Sequence, residues 1–84
     1  MYDQINEIIE VFVNFKKDNI VPKFFIWRRK MYKIGKVHLV HISKNGSQIL
    51  YHFSVTDDCN LNYFQLAFNT CTLTWILEIL YYSG

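Results

Sequence analysis

The sequence predicts an all-β fold, a six-stranded antiparallel meander curled into a small barrel or half-barrel, on three observations. Apolar residues alternate with polar ones in three segments: Tyr51, Phe53 and Val55, then Phe64, Leu66 and Phe68, then Trp75 and Leu77, with Ile79 as an optional further member. That is the period of a strand with one buried face. The stretches between them, Thr56 to Asn60 and Asn69 to Thr72, are rich in Asp, Asn and Thr and read as loops. Third, the chain holds seven Phe, six Tyr and two Trp among 84 residues. A single domain this short buries only about 60 to 65% of the surface its unfolded form exposes. Aromatics that bury roughly 150 to 250 Å² each supply the dense core that residues 1–84 need.

Residues 1–14 carry two periods at once. Ile5, Ile8, Ile9 and Phe12 recur at helical spacing, whereas Ile9, Val11, Val13 and Phe15 recur at strand spacing. The β-branched density of IIEVFV favours a strand from about Ile8 to Phe15, with a short helical turn over residues 3–8 as the alternative. Asp18 and Asn19 supply a turn, and Pro22 stands at the start of the next strand, where its missing N–H does least harm. There Phe25 and Trp27 face inward, while Phe24, Ile26 and Arg28 face outward. Arg28, Arg29 and Lys30 form a turn, after which Tyr32 and Ile34 continue the inward set. The set resumes at Val37 and Leu39, three positions on from Ile34 instead of two, so an extra residue is needed, and Gly35 suits a bulge there.

Ser43 to Ser47, SKNGS, is the clearest turn. A two-residue Asn45-Gly46 turn would put His38 opposite Phe53 and Lys36 opposite Val55, mixing charge into the core. A three-residue loop with Gly46 left-handed pairs Ser43 with Ser47, Leu39 with Tyr51, Val37 with Phe53 and His38 with His52. The second register matches inward residues to inward residues and is the one expected.

Charge divides the chain more sharply than hydropathy does. Residues 1–15 carry Asp3, Glu7 and Glu10 and no cation; residues 16–44 carry all nine Lys and Arg against Asp18 alone; residues 45–84 carry Asp57, Asp58 and Glu78. A net charge of +2 therefore hides a basic middle third, an asymmetry that bears on partners. Within the hairpin of residues 22–44, Lys23, Arg28, Arg29, Lys30, Lys33 and Lys36 cluster with Phe24, Met31 and Tyr32. Cations beside aromatics neutralise phosphates and stack bases, so Lys23, Arg28, Arg29, Lys30, Tyr32, Lys33 and Lys36 are the candidate nucleic-acid contacts. The plainer reading is that edge lysines block aggregation and keep an apolar domain in solution. A second class of function rests on Phe12, Val40, Ile42, Leu50, Ile76 and Leu80. These face outward in the expected strands and together would exceed the apolar patch of an ordinary monomer, which suggests a homodimer or a protein partner.

Other chemistry is not expected. His38, His41 and His52 lack the four-ligand spacing of a structural zinc site. No nucleophile has an evident base, no phosphate loop is present, and the pair Asp57-Asp58 reads as a turn cap, so neither an enzyme, a cofactor nor a small-molecule substrate is indicated. Cys59 and Cys71 fit no metal or redox spacing and read as buried or half-buried thiols. Residues 1–10 carry acidic residues where a signal peptide has basic ones, and Leu73 to Tyr82 is far short of the roughly 20 residues of a membrane helix. A cytoplasmic protein with no membrane span is expected.

Pro22-x-x-Phe25-x-Trp27-Arg28-x-x-x-Tyr32-x-Ile34-x-x-Val37, followed by Tyr51-x-Phe53-x-Val55 and Trp75-x-Leu77, resembles an uncharacterised family of small bacterial β domains. In that family a proline leads a Phe-x-Trp strand, an Arg-Gly-Arg turn and a Tyr-x-Val strand. The resemblance covers about residues 8–82 and consists of core-forming positions. Arg29 stands where the family's turn usually has Gly. Some members resemble tails or neighbours of bacterial DNA-damage-response proteins related to translesion polymerases, which implies a DNA-associated accessory role, and the resemblance carries over no catalytic residue.

Overall fold

The computed structural model describes residues 1–17, 19–59 and 62–82. Six antiparallel strands and no helix lie among them: β1 (Tyr2–Lys16), β2 (Asn19–Trp27), β3 (Lys30–Asn45), β4 (Gln48–Asp57), β5 (Tyr63–Asn69) and β6 (Thr74–Tyr81). Each strand pairs with the next and β1 closes against β6, so the meander forms a ring. Its interior holds the expected inward sets apart from Leu39 and Ile79, which bulges turn to the outside. Phe25, Val55, Phe64, Leu66 and Leu77 are almost wholly buried, Ile9, Trp27, Phe53 and Trp75 lie beside them, and Tyr32, Ile34, Val37, Tyr51 and Phe68 pack against that cluster.

The N-terminal segment is strand throughout, without a helical turn over residues 3–8. Pairing with β6 begins at Tyr2↔Tyr81, and a helix there would forfeit that ladder. A bulge between Gln4 and Glu7, with Asn6 at φ 52°, reconciles the two apolar periods read in the sequence. The β1–β2 turn lies between Lys16↔Asn19; Asp18, expected in it, is outside the described residues, as is Asn60 of the loop after β4. The β2–β3 turn is tighter than three residues: Trp27 pairs with Lys30, and Arg28 and Arg29 take φ of 51° and 66°. Two left-handed central residues are the requirement of a type I′ turn, which usually recruits Asn and Gly.

Gly35 is the expected bulge, between Ile34↔Asp57 and Lys36↔Thr56. A Cβ there would sit 2.8 Å from the Asp57 carbonyl oxygen and 2.8 Å from the Asp58 Cα, so only glycine fits. A second bulge, at His38 between Val37↔Val55 and Leu39↔Ser54, was not foreseen and changes the hairpin. It turns Leu39 outward and sets Val40 opposite Phe53, His41 opposite His52 and Ile42 opposite Tyr51. The turn is neither of the two weighed above. Asn45 pairs with Gln48, leaving Gly46 and Ser47 as a two-residue loop. Gly46 has φ 63° and Ser47 is not left-handed, the sign pattern of a type II′ turn with Gly first. His38, instead of facing His52, contacts Thr56 Oγ1 at 3.1 Å and stacks on Tyr63. A further bulge, at Glu78 between Gln65↔Ile79 and Leu66↔Leu77, rotates Leu80 onto the core. Cys59 and Cys71 are free and exposed, not buried, because both fall in turns.

Closure of the ring is uneven. β2 and β3 pair only from Phe24↔Lys33 to Trp27↔Lys30, and β1 pairs with β6 no further than Ile9↔Trp75. The β1–β2 hairpin continues to Lys16↔Asn19, so its outer half runs as a two-stranded ribbon without a ladder on either side. Val11, Val13 and Ile20 still hold it against the core by packing.

Candidate nucleic-acid interface

Residues directly opposite in an antiparallel pair share a face, which places the basic residues without ambiguity. Val11 and Phe25 face in, so their neighbours Phe12 and Phe24 face out and pair across β1 and β2, while Phe24 pairs in turn with Lys33 on β3. The Phe12 and Phe24 rings stack with centroids 4.4 Å apart at 17°, and Phe12 is 45% exposed. Lys23 is the extra residue where β2 slips against β1, between Phe12↔Phe24 and Val13↔Pro22, and it is exposed beside the stack. The Gly35 bulge returns Lys36 to the outer face of Lys33, and three residues of strand put about 10 Å between the two. Lys23, Lys33 and Lys36 thus flank an outward aromatic pair, Phe12 exposed and Phe24 half-buried, with Met31 next along β3. Glu10, exposed on β1 opposite Ile26, bounds this surface with the opposite charge.

Three of the expected contacts stand differently. Tyr32 faces inward, stacked on Phe25 at 5.1 Å and edge-on to Phe64, so its ring is not free to meet a base. Lys30 lies over the outer part of that ring, its Nζ 5.0 Å from the centroid. Arg28 is engaged by Glu7: its Nη2 donates to Oε2 at 2.7 Å while Trp27 Nε1 donates to Oε1 at 2.9 Å, and the guanidinium also covers the Trp27 ring. The Arg28 hydrogen bond, and after it the Trp27 one, holds the Glu7 carboxyl below its ordinary value of 4.5 and raises Arg28 in turn. Arg29 is exposed in the turn. Nothing local in the sequence announces Glu7 as the partner of a residue 21 positions away.

The residues expected to form an outer apolar face do not form one surface. Phe12 belongs to the aromatic pair, Ile76 lies opposite Ile8 on the outside, and Leu50 is outward opposite Ser43 and Asn69. Val40 and Ile42 share the inner side of Phe53 and Tyr51 yet remain 47% and 60% exposed, and Leu80 is half-buried against the core. The strongly exposed Ile8 and Leu73 flank an open groove of about 430 Å³ that reaches Phe12 along the edge of β1 beyond its pairing with β6.

A polar layer covers the outside of the sheet from β3 to β6. Ser43 Oγ is 2.7 Å from His52 Nε2, His52 Nδ1 is 2.9 Å from Glu78 Oε1, and Gln65 Nε2 donates to the same oxygen. In the neutral ring Nδ1 donates to the carboxylate and Nε2 accepts from the hydroxyl. The order is that of a nucleophile, a base and an orienting carboxylate. Here the imidazole is paired with Ala67, which is 1% exposed, and stacked under His41 at 4.5 Å and 9°. With both ring nitrogens occupied and the ring face covered, the arrangement works as a clamp across four strands. No group of three His, Cys, Asp or Glu residues able to hold a metal ion occurs among the described residues, and none of the described elements is a helix long and apolar enough to cross a membrane.

Comparison with known proteins finds no match: no family model, no curated protein and no solved structure resembles this chain.

Proposed function

We propose that the chain is a non-enzymatic, cytoplasmic accessory module that needs no cofactor and binds single-stranded nucleic acid on the outer face of β1, β2 and β3. One observation carries the reading: a stacked aromatic pair on the outer face, exposed Phe12 on half-buried Phe24, with Phe24 directly opposite Lys33. Stacking a base on an aromatic side chain is worth about 1 to 3 kcal/mol, and lysines at Lys23, Lys33 and Lys36 neutralise phosphates whose counterions are then released. Splayed single strands offer base faces to such a surface, whereas duplexes keep theirs stacked. Glu10 on the β1 side steers the backbone toward the lysines of β3.

The test is fluorescence anisotropy with labelled oligo-dT and oligo-U of about 15 nucleotides, and with a duplex control, over a salt series. With about four phosphate contacts, log K falls against log salt with a slope near −3 for single strands. Replacing Lys23, Lys33 and Lys36 together by Ala flattens that slope. Phe12→Ala weakens binding by about tenfold at unchanged slope. Arg28→Ala changes neither, since Glu7 already occupies that guanidinium. Absence of binding at about 50 mM salt and 100 μM protein refutes the reading.

A further inference from the structure

β3 parts from β2 halfway along its length. Pairing with β2 stops at Phe24↔Lys33, whereas pairing with β4 continues to Asn45↔Gln48. Among the described residues, no strand pairs with one edge of β3 from Ile34 to Asn45 or with the facing edge of β2 from Asn19 to Lys23. In an antiparallel ladder every second residue turns both its N–H and C=O to the same side, so this stretch of β3 presents about five residues' worth of unpaired backbone donors and acceptors. Such an edge is a template for another strand.

The gap has an apolar floor. Ile20, Val40, Tyr51 and Phe53, with Asn19, line a cleft of about 240 Å³ at the split. Val40 and Ile42 are on its β3 side, with their side chains on the inner face and largely exposed. The two facing edges carry only positive charge, with the nearest carboxylates at Asp18 in sequence and at Asp57 and Asp58 beside Gly35. Between Asn19 and Asn45 the chain has no Asp or Glu, while Lys23, Lys36 and Lys44 lie on the two edges and Lys16 and Lys17 at the ribbon tip.

We propose that the split takes up an extended acidic segment of a partner protein as an added strand along β3. Its alternate apolar side chains enter the cleft against Val40, Tyr51 and Phe53, and the acidic ones between them face the surrounding lysines. This is strand addition, in which main-chain hydrogen bonds supply affinity and alternate side chains supply selection. A second copy of the chain fits less well, since it would bring two edges without a carboxylate between them into contact and like charges across an interface oppose association. Strand uptake shares Lys23 and Lys36 with the nucleic-acid surface but uses the free edge and inner mouth instead of the outer aromatic pair, so Val40→Glu and Phe12→Ala separate the two.

The probe is an acetylated, amidated nonapeptide of alternating Glu and Val, added to the ¹⁵N-labelled full chain. Saturable shifts in the amides between Val37 and Ser43, with new protection from hydrogen exchange there, are expected. Val40→Glu, checked for folding by circular dichroism, weakens this binding at least about tenfold, whereas Val40→Ile retains it and Phe12→Ala leaves it unchanged. A Lys-Val peptide, and a Glu-Val peptide N-methylated at every second residue, do not bind. The proposal is overturned if the Glu-Val peptide causes no shift at about 1 mM, if either control binds as well, or if the β3 amides are already protected in a concentration-dependent dimer.

Discussion

The two ends of this barrel are built from similar residues and differ in pairing. Around the Arg28-Arg29 turn, β2 is laddered on both sides, and the side chains inside that half, Phe25, Val55, Phe64 and Leu77, are at most 1% exposed. Around the Gly46-Ser47 turn, the β1–β2 ribbon stands apart from β3 and β6. There Phe15, Leu39, Val40, Ile42 and Leu73 are 45% exposed or more. Apolar residues alone therefore do not make core. They become core where the ring is closed by hydrogen bonds, and elsewhere they line a mouth.

Truncation separates the two halves most strongly. Phe25→Ala, at a fully buried ring packed against Tyr32 and Phe64, costs about 3 to 5 kcal/mol in urea unfolding; Val40→Ala, at the open mouth, costs under about 1 kcal/mol. Equal costs would mean that the mouth is as well packed as the closed end.

Glycine substitutions sharpen the same contrast. Gly35→Ala drives a methyl into backbone atoms of Asp57 and Asp58 in the closed half and costs about 3 kcal/mol, the upper part of the overpacking range, because backbone yields less than side chain. Gly46→Ala meets open space and suffers only the left-handed conformation, about 1 kcal/mol. A reversed order would place the tight contact at the wrong bulge.

Smaller still is the effect of relieving strain in the closed half. Arg29→Gly removes a left-handed arginine at φ 66° and raises stability by about 0.5 to 1 kcal/mol, the conformational gain partly offset by a more flexible unfolded chain. Loss of stability instead would mean that the Arg29 side chain has a structural partner.

Glu7 gives the mildest signature, through pH. Its carboxyl titrates lower in the folded state, so its contribution to stability is present above the ordinary value of 4.5 and is lost as pH falls through the depressed one. Wild type therefore loses more stability than Glu7→Gln in that acidic window, while at neutral pH Glu7→Gln leaves Arg28 without its counter-charge. Parallel pH curves for the two proteins would contradict the ion pair.

Strand order, the inward sets and the Gly35 bulge were legible because alternation and glycine are local signals. The bulges at Asn6, His38 and Glu78 were not, because no glycine marks them and tertiary partners hold at least two of them: Tyr63 and Thr56 receive His38, and His52 and Gln65 receive Glu78. Missing the His38 bulge had one large consequence. With Leu39 assumed inward, a three-residue loop was the only way to match the two strands, whereas one extra residue at His38 permits a two-residue turn and reverses the faces of Leu39, Val40 and Ile42. The basic residues of the candidate interface were readable from charge alone. Their availability was not, since Glu7 reaches Arg28 only when the ring brings β1 beside the β2–β3 turn.

The split between β2 and β3 is tested most directly by amide hydrogen exchange along β3, read residue by residue by NMR. The expected pattern is strong protection at Met31 and Lys33 or at their immediate neighbours on both edges, then, from Lys36 to Lys44, protected amides facing β4 alternating with amides that exchange nearly freely. Uniform protection along the whole of β3 in a monomer would show that β2 and β3 are laddered throughout, and the open half of the barrel would not exist.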